Sequence, residues 1–416
     1  MGAEHPSWYD PTELGIGHDS VAETDLSLGD TDVEPPWQFR EPEVFLRNTG
    51  AADPHKYAPV VGRAHTREEI RKRWLRSNRF GAPIPVERTP DGEPCIIVTP
   101  GGQAAMHHAV NTALDAGEKA LLIEPYYPYH AKSVRLFRES DRIETVPTNA
   151  AEGFQPPVER VAAAIEANRI GALVLCSPSN PSGTCYDDDW LAALSEIILA
   201  ADIDVISDEV YAFLTYGATH HSIASCPGMS KRTFVVGSFS KVFGLSGWRL
   251  GFVRCPSKYF DPLEDVTDSI AMQASTPGQV ILEYALRDGG LAQLDPVRDR
   301  LRRRLDTLIE PFEASPKITV HRPSGGFYLL PAVAAEYAAD PAELGGYDAA
   351  CDRLPAGVSP ALGDCLHSHL LDDAGVEGTI GRSFGAPDTV RLAFGQTPVN
   401  ELDAAGDRIA VALESF

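Results

Sequence analysis

The sequence is short of basic residues: 36 lysines and arginines stand against 59 aspartates and glutamates, so its formal net charge is −23. A surface of this sign repels a phosphate backbone, which excludes nucleic acid as an expected partner. Long hydrophobic runs are missing too, since none approaches the ~18 residues that a membrane-spanning helix needs. Residues 1–10 contain acids and a proline where a secretory signal requires a basic start and an apolar stretch. We therefore expect a soluble chain that does not bind membranes.

Cysteine is scarce and follows no pattern. The chain has seven cysteines, an odd number, and no CxxC pair, which argues against a disulfide framework and against a zinc site. We expect no bound metal, and the reducing cytoplasm as the compartment. What the sequence does have is length, because 416 residues with 43% hydrophobic content suffice for a large buried core in about two to three domains.

Between residues 95 and 255, short apolar runs alternate with helical patterns, which is typical of a parallel sheet with crossover helices. Helices are predicted over residues 103–116, around residues 158–165 and from Asp187 onward. The apolar runs predict five strands in series, at residues 120–123, 170–176, 204–206, 233–236 and 250–253. This series predicts an α/β fold with a doubly wound, mostly parallel sheet.

Beyond Pro277 the pattern changes to a long amphipathic helix, with apolar residues from Val297 to Leu308 repeating along one face. The further predicted elements are two strands and one helix, at residues 326–330, 390–394 and 360–373. This change predicts a second, smaller α+β domain. The expected division is an N-terminal arm that joins the small domain (1–55), a large α/β domain (56–295) and the small domain (296–416).

Two features of the small domain receive no function from the sequence. Arginines at positions 298, 300, 302, 303 and 304 form a basic patch, which on an amphipathic helix of an acidic protein is expected to be a solvated face. Residues 334–359 are rich in Ala, Gly, Asp and Pro and predict a long loop or a weakly structured insertion. This loop is either a lid that selects the substrate or a passive surface loop.

Polar side chains follow three of the predicted strands, where an open parallel sheet binds its ligands. Asn180 lies in the segment after the first of these strands, Asp208 and Tyr211 follow the second, and Lys241 follows the third. An amide, a carboxylate and an amine are therefore expected to meet at one edge of the sheet.

Lys241 is one of only eight lysines, and it alone follows a buried strand inside a Ser/Gly-rich turn. A desolvated lysine has a lowered pKa and can act as a Schiff-base nucleophile or as a proton carrier. Asp208, placed near a ring nitrogen, would keep that nitrogen protonated and turn a pyridine ring into an electron sink. Taken alone, Asp208 is equally consistent with a helix cap or a core ion pair.

A phosphate site is suggested by Gly101 and Gly102 at the start of the first helix, together with Ser238, Ser240 and Arg249. These residues offer backbone donors, hydroxyl groups and a fixed positive charge. The two glycines by themselves are also explained by a tight turn.

Three segments together resemble a known family: residues 177–184 (SPSNPSGT), 207–211 (SDEVY) and 238–251 (SFSKVFGLSGWRLG). They resemble the fold type I pyridoxal-phosphate enzymes of the class I/II, aspartate aminotransferase-like family, and the similarity extends from about residue 28 to the C-terminus. The resemblance implies pyridoxal 5'-phosphate bound to the large domain. It also implies transfer of an amino group between an amino acid and a 2-oxo acid, a role in amino acid metabolism and biosynthesis, and a homodimer with shared active sites.

The resemblance also implies residue roles. Lys241 would form the Schiff base and take the α-proton, Asp208 would pair with the pyridine nitrogen, and Tyr211 would bind the ring hydroxyl. The remaining cofactor contacts would come from Gly101, Gly102, Gln103, Tyr127, Asn180, Ser238, Ser240, Arg249 and, from the neighbouring subunit, Tyr57. The substrate carboxylate would be bound by Gly29, Asn180 and Arg391, where the arginine fork suits a bidentate contact.

The sequence departs from the family pattern at a few positions. Ile380 stands before Gly381 where the family usually has proline, and the loop 334–359 is longer than usual. His107 and His108 lie on the helix after the expected phosphate site, where packed or solvated histidines are more common than catalytic ones. An alternative reaction on the same cofactor therefore stays open: β- or γ-elimination or replacement, oxidation, or C–C bond formation on an amino acid.

Three other classes fit poorly. Ser238 and Lys241 match the SxxK pattern of serine acyl-enzymes, but the accompanying SDN and KTG elements are absent. A regulator on this fold would need a DNA-binding module, for which the chain has neither a basic segment nor spare length. A nicotinamide enzyme would need GxGxxG after the first strand, which residues 15–17 do not supply.

Overall fold

The computed structural model describes residues 22–43, 54–137, 142–337, 340–355 and 357–416. Its strands, in chain order, are β1 (Thr24–Asp25), β2 (Ile96–Thr99), β3 (Lys119–Ile123), β4 (Ile143–Val146), β5 (Ile170–Cys176), β6 (Asp204–Asp208), β7 (Thr233–Ser238), β8 (Gly251–Arg254), β9 (Ile318–Thr319), β10 (Tyr328–Leu329), β11 (Ala332–Val333), β12 (Val376–Glu377), β13 (Thr379–Ile380) and β14 (Val390–Ala393). Its α-helices are α1 (Trp37–Arg40), α2 (Ala64–Glu69), α3 (Gly102–Ala113), α4 (Pro128–Phe137), α5 (Val158–Ala167), α6 (Asp188–Ala201), α7 (Phe239–Val242), α8 (Phe260–Ala271), α9 (Thr276–Arg287), α10 (Leu294–Ala314), α11 (Tyr347–Arg353), α12 (Leu362–Ala374) and α13 (Val399–Ser415).

A seven-stranded sheet forms the centre of the molecule, with the strand order β2-β8-β7-β6-β5-β3-β4. All neighbouring pairs are parallel except those of β8, which runs antiparallel to β2 and β7. The predicted doubly wound, mostly parallel α/β sheet is therefore confirmed, and all five predicted strands are present. The sequence reading did not identify β2 and β4; β4 is an edge strand with only Val146 buried, so its apolar signal is weak.

Helices cover both faces of this sheet. Neighbouring strand residues point to opposite faces, so Leu122 shares a buried cluster with Met106 of α3, whereas Leu121 shares another with Trp190 of α6. Because β5, β6 and β7 are adjacent and parallel, their carboxyl ends lie side by side. The segments after these three strands are thereby brought to one edge.

The C-terminal part contains two small antiparallel sheets, β10-β14-β13 and β9-β11. Helix α13 packs against α10 and α12. The N-terminal segment joins this part, because β1 pairs in parallel with β12 and the Leu26 carbonyl accepts a hydrogen bond from the Ala393 amide at 2.7 Å. The domain boundaries at 55 and 295 stay a prediction, and residues 1–21 and 44–53 of the predicted arm lie outside the described residues.

The expectation of a wholly solvated arginine face is wrong for Arg304. This side chain is buried, pairs with the Asp32 carboxylate at 2.5 Å and donates to the Gly395 carbonyl at 2.6 Å. Arg300 pairs with the same carboxylate at 3.0 Å. The prediction failed because the partner, Asp32, lies far away in the sequence.

The expectation of a loop over residues 334–359 is also corrected. The segment contains a 3-10 turn at Pro341–Glu343 and helix α11, and it buries Leu344 and Ala350 against the C-terminal helices. Helix α11 packs on α12. Two cavities open at the carboxyl edge of the central sheet, and no described residue of the segment lines either of them.

A helix long and apolar enough to cross a membrane is not found in the described part of the chain.

Candidate active site

Two neighbouring cavities open at the carboxyl edge of the sheet. The Asp208 cavity, of about 200 Å³, is lined by Asp208, Ser238 and Arg249 among others. The Arg391 cavity, of about 180 Å³, is lined by Arg391 and Gly29 among others. Four side chains line both cavities: Tyr127, Asn180, Tyr211 and Lys241. The structure thus brings most of the predicted site residues together around the boundary between the two cavities.

Asp208 is the last residue of β6, and its buried side chain lines its cavity. One carboxylate oxygen, Oδ2, lies 2.8 Å from His130 Nε2, and the other accepts a hydrogen bond from the Val210 amide at 3.3 Å. The Cys176 thiol lies within 4.8 Å of the His130 and Asp208 ligand atoms. Burial, and next the Asp208 charge, raise the pKa of the Cys176 thiol well above its usual value, which keeps it protonated. A carboxylate held in this way is suited to accept a hydrogen bond from a protonated ring nitrogen.

The start of α3 also lines the Asp208 cavity, through Gly102 and Gln103. Gly101 has φ +87°, and a Cβ there would lie 2.5 Å from Arg249 Nη2. A Cβ on Gly102 would lie 3.0 Å from the Ser238 Cβ. The missing side chains leave an open cradle of backbone amides beside a hydroxyl and a guanidinium, which is the donor set that binds a phosphate. Ser240 is buried next to Lys241 but does not line the cavity, and neither does Gly101.

The residues between the two cavities are held in place by their neighbours. Tyr127 stacks on Tyr129, with ring centroids 5.2 Å apart. The Tyr211 hydroxyl lies 2.8 Å from the Tyr328 hydroxyl. The Asn180 carbonyl oxygen, Oδ1, accepts a hydrogen bond from Arg391 Nη1 at 3.3 Å. An aromatic face, a phenol and an amide are thus directed at the space beside Lys241.

Arg391 comes from the middle of β14, is buried, and lines its cavity. Its Nη2 donates to the Ser27 carbonyl at 2.6 Å and to Thr379 Oγ1 at 3.1 Å, and its guanidinium lies 5.0 Å from the Tyr328 ring centroid. Among the residues that the structure describes, Nε has no hydrogen-bond partner and no carboxylate forms an ion pair with this guanidinium. A buried cation without a counter-ion is costly, so the arrangement calls for an anionic ligand.

Lys241 is the third of the four residues of the short helix α7, which directly follows β7. Its Nζ donates to the Gly29 carbonyl at 2.6 Å and lies 3.6 Å from Asp30 Oδ1. Burial lowers the pKa of Lys241, and the Asp30 charge opposes that shift. The amine is therefore easier to deprotonate than an exposed lysine, as a nucleophile or base must be.

Tyr57 lines neither cavity, and its side chain is 79% exposed. His130, Tyr328, Thr379 and Ser27 line the cavities or contact the site but were not predicted. His130 follows Tyr127 by three residues on the first turn of α4, so its position just after a strand was a usable signal. Tyr328 offered no such signal, because its segment predicts only a strand.

His107 and His108 line neither of the two cavities. Gln103 Nε2, which borders the Asp208 cavity, donates to His107 Nε2 at 3.1 Å. His108 is fully buried on the other side of α3, where its Nδ1 hydrogen bonds to Thr267 Oγ1 at 3.1 Å. The expectation of a packed histidine on this helix is confirmed for His108.

His108 should make the protein sensitive to acid. Burial, and secondarily His107, lower the pKa of His108 to about 4. Because the unfolded chain then binds a proton first as the pH falls, stability is lost between pH ~6.5 and ~4. This linkage corresponds to roughly 3 kcal/mol at the acid end. We expect His108→Gln to flatten the pH dependence of the melting temperature over this window. The exposed His65→Gln variant serves as the control, and an unchanged slope in His108→Gln would contradict the assignment.

The donor set fits one cofactor class: a phosphate cradle, a carboxylate for a ring nitrogen and a buried lysine amine between them are the features of a pyridoxal-phosphate enzyme of fold type I. Comparison with known proteins agrees, because the family described as "Aminotransferase class I and II" matches residues 34–409. The chain belongs to this family. It is an aminotransferase that uses pyridoxal 5'-phosphate.

Individual relatives differ in the substrates that they are named for. The chain is 31% identical over 384 residues to the arginine–pyruvate transaminase of Pseudomonas aeruginosa, covering 90% of this chain and 87% of the relative. It is 32% identical over 322 residues to the aspartate/prephenate aminotransferase of Thermus thermophilus, covering 76% and 77%. The aromatic aminotransferase structure from Pyrococcus horikoshii superimposes with a TM-score of 0.79 at 26% identity, covering 97% and 98%.

Proposed function

We propose that Lys241 is the catalytic residue of the amino-group transfer, binding the cofactor covalently through Nζ and then moving the substrate α-proton. The observation that carries this proposal is that Lys241 lines both cavities, so that its amine lies where a cofactor and an amino acid would meet. When bound, the cofactor supplies an electron sink that acidifies the α-carbon of the amino acid. A lysine with a lowered pKa is then a suitable base for that proton.

The Asp208 cavity is proposed to hold the cofactor. Asp208, oriented by His130, would keep a proton on the ring nitrogen, and Tyr127 would stack on the ring. Asn180 and Tyr211 would hydrogen bond to the ring hydroxyl. The phosphate would be bound by the cradle at the start of α3 and around β7, consisting of Gly101, Gly102, Gln103, Ser238, Ser240 and Arg249.

The Arg391 cavity is proposed to hold the amino acid or the 2-oxo acid. Arg391 supplies the missing counter-charge for an α-carboxylate, and Asn180 and the backbone at Gly29 complete its binding. An amine that lacks the α-carboxylate should therefore not bind, because it has no group that pairs with Arg391. A panel of amino donors and 2-oxo acids tests the proposal: coupled formation of a new amino acid and a new oxo acid supports it, whereas failure of every pair to exchange overturns it.

A homodimer is proposed because Tyr57 has a family role only when it reaches the phosphate of a neighbouring subunit. In support, Tyr57 is exposed, and so are Ile270 and Met272, at 45% and 47%. Hydrogen bonds from Ala58 to Gln273 and from Thr276 to Lys56 join the segment of Tyr57 to the segment that follows Met272. Such exposed apolar side chains are typical of an interface.

A reducing cytoplasm is proposed as the compartment of this protein. All seven cysteines are free thiols, which supports this proposal.

Tyr57→Phe should weaken cofactor binding by about tenfold, because one hydrogen bond to a charged phosphate is lost. Absorbance titration of the cofactor-free protein measures this affinity. Tyr337→Phe, which removes a partly exposed hydroxyl elsewhere on the surface, is the control and should bind the cofactor normally.

Sedimentation of the parent protein should give the mass of two chains. A single-chain mass with full activity, or an unchanged affinity in Tyr57→Phe, would contradict the shared site.

A further inference from the structure

Tyr211 and Tyr328 form a pair of buried phenols between the two cavities. Their hydroxyl oxygens lie 2.8 Å apart and their rings are perpendicular, with centroids 5.7 Å apart. Tyr211 lines both cavities, whereas Tyr328 lines only the Arg391 cavity. The hydrogen bond to Tyr211 therefore gives Tyr328 a contact with a residue of the Asp208 cavity.

The direction of the hydrogen bond between these phenols decides what Tyr211 can do. Each hydroxyl carries one proton. If Tyr211 gives its proton to Tyr328, it has none left to donate into the Asp208 cavity. If Tyr328 donates instead, the Tyr211 proton is free for an acceptor beside Lys241, and the bond that Tyr211 accepts polarises its own O–H group.

The surroundings of Tyr328 favour it as the donor. The Arg391 guanidinium lies 5.0 Å from its ring centroid, and a nearby cation makes a phenol more acidic and a better donor. Burial raises the pKa of Tyr328 to about 12, and the Arg391 charge opposes that shift. The Tyr328 hydroxyl packs against the backbone of Gly29, in the space that a side chain there would need, since a Cβ on Gly29 would lie 2.5 Å from the hydroxyl oxygen.

We propose that Tyr328 is a positioning residue that donates its proton to Tyr211 and so directs the Tyr211 hydroxyl toward the ring oxygen of the cofactor. The inference rests on the proposed role of Tyr211. Through these two hydrogen-bonded phenols, the charge of Arg391, in the cavity proposed for the substrate, affects how tightly Lys241 Nζ holds its proton beside the cavity proposed for the cofactor. A weaker donor at Tyr211 leaves more negative charge on the ring oxygen, which holds the proton at Nζ more tightly.

The test is a double-mutant cycle read by absorbance, with the cofactor-loaded full chain. In Tyr328→Phe, the pH at which the visible absorbance band changes should rise by about 0.5–1 unit, the size that one hydrogen bond of ordinary strength supports. Tyr211→Phe should raise it further. Adding Tyr328→Phe to Tyr211→Phe should give no additional shift, because the first residue acts through the second. With Tyr328→Phe, kcat should fall while the KM of the amino donor changes little, since phenylalanine keeps the ring under Arg391.

Tyr216→Phe is the matched control. Its hydroxyl donates to the Gly325 carbonyl at 3.4 Å, and its side chain lines neither cavity, so the absorbance transition should not move. Thermal unfolding checks that each variant is folded. Equal shifts from Tyr328→Phe in both backgrounds, no shift at all, or a raised KM with an unmoved transition would each overturn the inference. A parent protein without any visible band would instead refute the proposed function, so the two failures are distinguishable.

Discussion

Lys241→Ala should lower kcat for amino-group exchange by about 10⁴-fold, the upper end of the range for losing a positioned general base. The side chain lost is the one that borders both cavities, so no other described amine can replace it at that boundary. The cofactor should still occupy the Asp208 cavity noncovalently, because Asp208 and the cradle at α3 are unchanged. Steady-state kinetics measures the loss, and the absorbance spectrum reports whether the cofactor is retained.

The control for this variant is Lys258→Ala. Lys258 is a surface lysine that pairs with Asp204 at 3.6 Å, away from both cavities, and its removal should leave exchange at the parental rate. A small free amine added to Lys241→Ala should recover part of the activity, since it can carry the proton that Nζ no longer carries. Activity within tenfold of the parent in Lys241→Ala would mean that another group moves the proton.

Arg391→Lys should lower kcat/KM by about 10²-fold, mainly through KM. A lysine keeps the charge but loses the paired donors that grip a carboxylate, and each charge-assisted hydrogen bond is worth about 1.5–3 kcal/mol. Arg391 borders only its own cavity, so the cofactor affinity should be unchanged. Kinetics over a range of amino donor concentrations separates KM from kcat, and cofactor titration checks the second cavity.

Arg254→Lys is the matched control for replacing a buried arginine. Arg254 is fully buried and donates to the backbone carbonyls of Pro85, Ser230 and Thr233. Its replacement should lower the melting temperature without changing KM for the amino donor. If Arg391→Lys lost the cofactor, or if KM rose equally in the control, the carboxylate role of Arg391 would be wrong.

The site residues that could be predicted from the sequence are those that follow a buried strand directly. Asp208 and Lys241 end or follow strands whose apolar runs are plain, and the register of a parallel sheet then places them at one edge. His130 and Tyr328 were missed because their contacts depend on how distant segments fold together. His130 meets Asp208 across 78 residues, and Tyr328 meets Tyr211 across 117.

The same limit explains the corrections outside the site. Arg304 belongs to a stretch whose spacing predicts a solvated face, yet its partner Asp32 arrives from the N-terminal segment, 272 residues away. Helix α11 has a composition that predicts a loop, and it is stabilised by burying Ala350 and the preceding Leu344 against the C-terminal helices. In both cases tertiary contacts override a local pattern.

The most direct test of the account is to reduce the cofactor-loaded protein with borohydride and map the modified peptide by mass spectrometry. Of the eight lysines in the chain, only Lys241 should carry a pyridoxyl group, with one group per chain. A protein that retains no cofactor to trap, or an adduct on a different lysine, would contradict the claim that the 241 amine joins the two cavities as the catalytic group.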